Sequence, residues 1–374
     1  MKKIAVLTNI IPPYRLPLFN GVGEKVKLDI LICTKNEKNR SWDIPRTSNF
    51  KVKKLFGISV TLKNNLNDYR FIYLKFSILF YLLFKRPDQL IIGDASFTSY
   101  FAALCCKILG VKYIWWNETL PFTPINKGKV DKLRKFSIKN ANHHFVSGTL
   151  AKEFILNYGV SKNNITVIPD AVDNEMYFNF SQKFQPYKEE IKDSMGILKD
   201  DFVLIYVGQF IDRKNINLML EAYKELYSHD KTIKFIMVGG GELTSNIFSF
   251  KEKYNLDGLI IKDFMPSEEL ARLYVVSDLL LLVSESEPWG MVVNEAMCFG
   301  IPVLLSRYVG AGADLVNKNT GEILYDINKE VLSKTILDMK KRTFNEKIIL
   351  DKVYKWNNKH AIRSFLQELQ YGHN

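Results

Sequence analysis

The chain predicts an α/β architecture of two parallel-sheet domains, and three observations carry that prediction. Short apolar runs alternate with helical patterns along both halves, as in a parallel sheet covered on both faces. Some runs are continuous rather than alternating, such as Asp278-Leu-Leu-Leu-Leu-Val283, the habit of a strand buried on both sides. A length of 374 residues is also large for one core and suits two of roughly 150 to 200 residues each.

In the first half, strands are predicted at Ile4–Thr8, Leu28–Cys33, Leu90–Ile92, Lys112–Trp116, His144–Val146 and Ile165–Ile168. Helices are predicted at Leu62–Phe84, Thr98–Leu109, Val130–Lys139 and Leu150–Tyr158. The N-terminal apolar run is broken by Pro12-Pro13 and is too short for a signal peptide, so it reads as the first strand. The longest apolar run, Phe71 to Phe84, has 14 residues and is interrupted by Lys75. Spanning a bilayer takes about 20. The run is therefore expected to be a buried helix, with an interfacial membrane helix as the sharper alternative.

The second half is punctuated more clearly. Phe202–Val207 is a strand ending at Gly208, and a helix follows over Asn217–Leu226. Then come strand Ile233–Val238, the glycines 239–241, a helix from Leu243 to Tyr254 and strand Gly258–Ile261. Ser267 opens a helix with Glu268 and Glu269 in its first turn. After Asp278–Val283, a helix over Met291–Phe299 is stopped by Gly300 and Pro302, and the next strand runs to Ser306. A polar linker is expected over Asp173–Lys199, and a last helix over His360–Gln370. The expected divisions are 1–180, 181–355 and 356–374.

Composition narrows the function. Apolar content of 47% is ample for two packed interiors, so a disordered chain is not expected. Cys33, Cys105, Cys106 and Cys298 lack zinc-ligand spacing and read as reduced core thiols of a cytosolic protein. The net charge of +12 is uneven. Residues 1–180 hold 27 Lys/Arg against 13 Asp/Glu, an excess of +14, while the remainder is slightly acidic. The first half is thus expected to meet something anionic, a membrane surface, nucleic acid or an acidic substrate, unless the lysines are merely solvated. No nucleic-acid module stands out.

The segment Glu287-Pro-Trp-Gly-Met-Val-Val-Asn-Glu295 is the most informative. Glu287 lies on the loop at the carboxyl end of a strand, and Glu295 lies on the helix that leaves it. In open α/β sheets ligands bind outside the carboxyl ends of the strands. A carboxylate there can accept two hydroxyl hydrogen bonds at once. Taken alone, the pair could equally be a helix-start acid and an exposed helix carboxylate. The run Ser-Glu-Pro-Trp-Gly followed by Asn-Glu-Ala-Met-Cys-Phe-Gly-Ile-Pro-Val closely resembles the Glu-x7-Glu signature of retaining glycosyltransferases of family 4, which have the GT-B fold.

That resemblance implies two Rossmann-like domains facing across a cleft, with a C-terminal helix crossing back to the first. It implies transfer of a hexosyl unit from a nucleoside diphosphate sugar, UDP- or GDP-linked, to an acceptor hydroxyl with retention. A lipid-linked saccharide of the cell envelope is the expected acceptor, presented to an enzyme peripheral on the inner membrane face. No cofactor and no metal are expected, since no cluster has metal-ligand spacing. A sugar-nucleotide epimerase of the same fold, or a transferase acting on a soluble or protein acceptor, is the alternative.

The resemblance also assigns residues. Glu295 would hold the ribose, and Glu287 with the backbone of Trp289, Gly290, Met291 and Val292 the transferred sugar. Gly208-Gln-Phe-Ile-Asp-Arg-Lys214 stands where the family has Gly-Arg-x-x-x-x-Lys. Gly208 and Lys214 match, Gln209 replaces the usual arginine, and Arg213 is a candidate for the lost charge. Lys214 would stabilise the departing β-phosphate. Gly239, Gly240 and Gly241 resemble the turn beside the nucleotide, with Phe264-Met265-Pro266 near the base. In the first domain, Pro13, Tyr14 and Arg15 occupy the loop after strand one, where the Arg fork suits phosphate. Asn117 and Glu118 stand where many family members carry a histidine, and become acceptor-side candidates. His143 and His144 read as structural.

Overall fold

A computed structural model describes residues 1–35, 49–63, 69–124 and 128–371. It divides into two compact units, Met1–Asp170 with Asn358–Asn374, and Ala171–Asn357.

The first unit contains strands β1 (Lys3–Thr8), β2 (Lys27–Ile32), β3 (Phe50–Lys54), β4 (Ile58–Lys63), β5 (Tyr69–Leu74), β6 (Gln89–Ile92), β7 (Tyr113–Asn117), β8 (His143–Val146) and β9 (Ile165–Val167). Seven of them form one parallel sheet in the order β3-β2-β1-β6-β7-β8-β9. Alternate side chains of β1 enter different cores: Ala5 and Leu7 pack on one face of the sheet, Ile4 and Val6 on the other. That is why the strand is apolar throughout. Helix Phe97–Leu109 covers one face, capped by Ser96 at its start and by Gly110 in the left-handed region at its end. Helix Leu16–Gly23 covers the other face together with Asn358–Tyr371, the last helix of the chain. Phe365 from that last helix is fully buried against Trp116 and Phe145, with ring centroids 5.9 and 5.0 Å apart.

The predicted helix Leu62–Phe84 does not exist as one element. Leu62 lies in β4, residues 69–74 are β5, and only Ser77–Lys85 is helical. β4 and β5 form an antiparallel two-stranded hairpin. A continuous apolar run cannot by itself separate strand from helix. Here the β-rich Phe71-Ile-Tyr73 decides for strand, and Lys75 ends it. Lys75 is itself buried, bonding Gly57 O at 3.3 Å and Ser59 Oγ at 2.5 Å. Among the described residues no helix is long and apolar enough to cross a membrane.

The second unit holds β10 (Phe202–Val207), β11 (Ile233–Val238), β12 (Leu259–Lys262), β13 (Leu279–Leu282), β14 (Val303–Ser306) and β15 (Gly321–Leu324). Their order is β12-β11-β10-β13-β14-β15, all parallel. This is the doubly wound dinucleotide-fold order, with its reversal between β10 and β13. The expected linker is instead two helices, Asn174–Phe184 and Lys188–Ser194. Asp173 caps the first by accepting from Met176 N at 3.0 Å, and Tyr177 and Phe184 are buried in the second unit's core. Pro186 sits in the tight turn between them, so it punctuates rather than loosens the segment.

Candidate active site

The carboxyl ends of β10 and β13 converge at the reversal of the second sheet. After β10 the chain turns at Gly208 and makes a short 3₁₀ turn over Asp212–Lys214. Four contacts stitch this turn to the loop after β13. Glu285 N donates to Arg213 O at 2.9 Å, and Asn215 Nδ2 donates to Val283 O at 2.8 Å. Arg213 Nη1 reaches Ser286 O at 3.3 Å, and Lys214 Nζ forms an ion pair with Glu287. Asn215 takes the left-handed backbone that the turn needs, φ 56°. Glu287 is pinned in turn by the loop after β14, its N–H donating to Tyr308 O and its carbonyl accepting from Gly310 N.

Lys214 is 8% exposed. Burial first, then the neighbouring Arg213, pulls its ammonium down to about 7, although it is ion-paired with Glu287. Three of the residues singled out in the sequence thus come together: Arg213 and Lys214 as cations, Glu287 as their carboxylate.

The glycine loops behave differently from the simple expectation. A Cβ on Gly239 would stand 1.9 Å from Gly208 O, and one on Gly241 would stand 2.5 Å from Phe210 O. Their smallness lets the two loops lie against each other, joined by Phe210 N to Gly240 O and Leu243 N to Phe210 O. Gly240 alone faces open space. Gln209 is exposed, and its carbonyl accepts from Tyr206. Phe264 is 89% exposed.

Trp289 is not a loop-tip side chain. It is buried, stacked on Trp356 at 5.1 Å, with its indole N–H donating to Asn294 at 2.8 Å. A large apolar ring beside a strand end finds the core before it finds a ligand. Gly290, with φ 92°, starts the helix Met291–Met297 that carries Met291, Val292 and Glu295. The Glu295 carboxylate accepts from Tyr274 Oη at 2.8 Å and is also bonded by Tyr177. Burial raises its pKa, and the two tyrosines oppose the rise. Nothing in the sequence marked these tyrosines; they come from separate helices, and only packing brings them to Glu295.

In the first unit the carboxyl ends of β1, β6, β7 and β9 gather a second set. Arg15, on the 3₁₀ turn Pro13–Arg15, is 4% exposed and ion-paired with Glu118. Its guanidinium lies 4.1 Å from the Trp116 ring centroid and 6.0 Å from that of Tyr14. Two carboxylates that the sequence reading missed feel its charge. Burial pushes Asp170 up to about 6 and also raises Asp94, while Arg15 lowers both. Asp94 Oδ1 accepts from Ser96 N and Ser99 Oγ, and Oδ2 is buried with no hydrogen-bond partner among the described residues. Asp94 directly follows strand β6 and Gly93, so the strand-end rule could have found it. Asn117 is buried, its amide donating to Thr119 O and Ala151 O, a structural use. His144 is likewise buried against Ile138 O, and burial lowers its pKa.

Residues 187–352 match the family described as glycosyl transferases group 1. Among curated relatives, the alpha-monoglucosyldiacylglycerol synthase of Acholeplasma laidlawii is 26% identical over 175 residues, covering 46% of this chain and 43% of that protein. The N-acetyl-alpha-D-glucosaminyl L-malate synthase of Bacillus anthracis is 24% identical over 159 residues, 42% of this chain and 39% of that protein. The matches thus span less than half the length of either relative. The crystal structure of Anabaena Alr3699/HepE in complex with UDP and glucose superposes with a TM-score of 0.73 at 12% identity, over 99% of this chain and 100% of that one. The apo lipopolysaccharide outer core galactosyltransferase WaaB gives 0.72 at 16%, over 99% of each chain. At such identities the likeness speaks for the fold, and it is the two-domain GT-B fold. The stretch that carries Gly208, Lys214, Glu287 and Glu295 lies within the residues that match the glycosyl transferases group 1 family.

Proposed function

We propose that the protein transfers a hexosyl unit from a nucleoside diphosphate sugar to an acceptor hydroxyl, retaining the anomeric configuration. The observation that carries this reading is the Lys214–Glu287 pair at the reversal of the second sheet, flanked by Arg213. Fixed cations beside a strand-end loop suit a leaving diphosphate, because they meet the charge that develops as the glycosidic bond breaks. The acceptor hydroxyl attacks the face the diphosphate leaves, its proton passing to the departing phosphate. Lys214 and Arg213, rather than a divalent cation, carry the charge balance in this scheme.

Glu295 holds the ribose hydroxyls, with Tyr274 and Tyr177 fixing its orientation. Glu287 and the backbone from Trp289 to Val292 hold the sugar, and the base stacks on Phe264. On the acceptor side, Arg15 has its charge matched by Glu118 and the adjacent Asp94 and Asp170. That favours binding of sugar hydroxyls over binding of a phosphate there. Likeness to a glucosyldiacylglycerol synthase supports an acceptor carried on a lipid, and likeness to a capsular polysaccharide biosynthesis glycosyltransferase of Staphylococcus aureus supports a role in polysaccharide synthesis.

A thermal-shift screen of UDP- and GDP-sugars tests the donor half of the reading. A true donor at 100 times its dissociation constant stabilises the fold by roughly 2.7 kcal/mol. The absence of any response across the panel would remove the nucleotide-sugar reading.

A further inference from the structure

Along the carboxyl rim of the first sheet, Asn9 Oδ1, Arg15 Nε, Asp94 Oδ2 and Ser147 Oγ are buried with no hydrogen-bond partner among the described residues. Each lies where the chain leaves a strand. Asn9 and Arg15 follow β1, Asp94 follows β6, and Ser147 follows β8. These ends are held side by side, Gly93 N donating to Leu7 O at 2.8 Å and Ser147 N to Asn117 O at 3.4 Å. The Arg15 guanidinium lies against them, since a Cβ on Gly93 would stand 3.6 Å from its Nη1. Buried polar groups are nearly always paired, so orphans gathered on one rim call for a ligand that supplies their partners.

The orphans have a definite chemistry. Asn9 Oδ1 and Asp94 Oδ2 only accept, Arg15 Nε only donates, and Ser147 Oγ does both. Asp94 is held in place by its other oxygen, which accepts from Ser96 N at 2.8 Å and from Ser99 Oγ at 2.7 Å. Ser147 is 1% exposed and Arg15 4%, so neither is a solvated surface group. Hydroxyls on adjacent carbons of a sugar ring both donate and accept, and can answer the whole set. A phosphate or carboxylate only accepts. It would leave Asn9 and Asp94 without donors and set its charge against the Asp94 carboxylate. The Arg15 guanidinium, which would attract it, is already ion-paired with Glu118.

We propose that Asp94, with Asn9, selects the acceptor: each takes a hydrogen bond from a hydroxyl of a neutral sugar, and acidic or phosphorylated sugars are refused there. The role as acceptor rests on the transferase reading above, whereas the preference for neutral sugars rests on the first unit alone. Recognition runs through the sugar ring and not through a carrier, so simple glycosides are sufficient probes.

The test is ligand-observed NMR titration of the full chain with the methyl glycosides of glucose, mannose and galactose, against methyl glucuronide and glucose 6-phosphate. A neutral glycoside should bind, and both anionic sugars should bind roughly tenfold more weakly or worse. Asp94→Asn keeps the size of the side chain and can keep the contacts to Ser96 and Ser99, but puts a donor where Oδ2 accepts. Neutral-glycoside affinity should then fall about 10- to 100-fold. Ser147→Ala deletes one orphaned hydroxyl and should weaken the same ligand about threefold without lowering the melting temperature. A parent that binds no neutral glycoside overturns the proposal, as does one that prefers glucuronide or glucose 6-phosphate. So does an Asp94→Asn variant that melts and binds like the parent; if that variant does not fold, unchanged affinity in Ser147→Ala has the same force. Nucleotide-sugar thermal shifts on the parent keep the two readings apart. A parent that binds neutral glycosides but responds to no nucleotide sugar sinks the transferase reading and leaves the sugar-binding rim standing. The reverse result removes the rim alone.

Discussion

Under the proposed mechanism, Lys214 acts oppositely on stability and on turnover as pH changes. Its ammonium titrates near 7 in the fold, against 10.5 for a free lysine. Between those values the unfolded chain binds the extra proton, so this group makes stability rise with pH from about 7 toward 10. Lys214→Met should flatten that rise in urea melts taken across the window. Catalysis needs the charged form, so turnover should fall as pH climbs through about 7. Lys214→Ala should cost about 10²–10³ in turnover and much less in donor affinity, since the charge it meets develops in the transition state. Equal turnover in variant and parent removes Lys214 from the mechanism. The two glutamates separate by ligand. Glu295→Gln should weaken bare nucleoside diphosphate in calorimetry, and Tyr274→Phe should do so more mildly by loosening the same carboxylate. Glu287→Gln should spare that affinity and impair transfer; the reverse pattern would exchange their roles. Glu287, Glu295, Gly208 and Lys214 were singled out because the runs that contain them resemble the signature segments of a known family. Asp94, Asp170, Tyr177 and Tyr274 were not singled out, because their use depends on neighbours distant in sequence.

Among the elements, the glycine turn after β11 offers a clean comparison. Gly240 and Gly241 are adjacent, and neither has a backbone that excludes a side chain, but a Cβ at 241 meets Phe210 O at 2.5 Å while one at 240 meets nothing. Gly241→Ala should therefore lower the melting temperature and the response to nucleotide, and Gly240→Ala should leave the melt near that of the parent. Equal behaviour of the two would mean that the loop contact is soft. The elements that the sequence misassigned share one cause. Residues 62–84 and 173–199 were judged on polarity and run length, whereas pairing of β4 with β5 and capping by Asp173 decide them. The central strands were read from short continuous apolar runs, whose length and flanking turn residues favour a strand over a helix.

For the whole molecule, the last helix is the informative piece. It follows the second unit in sequence and completes the core of the first, with Phe365 fully buried between Trp116 and Phe145. Phe365→Ala should cost about 3–5 kcal/mol. The loss should fall on the first unit's unfolding transition, while the second unit keeps its nucleotide response; a shift confined to the other transition would contradict this packing. By itself the sequence determined the parallel α/β class, the strand-end position of the signature residues and the basic excess of the first half. These depend on local period, on spacing and on composition, which a linear chain states directly. Tertiary structure alone decided that Trp289 belongs to the core, that Arg15 is matched by carboxylates, and that orphaned polar atoms from separate strand ends share one rim. Each of those depends on which distant groups share a low-dielectric space, and only the folded chain brings them into it.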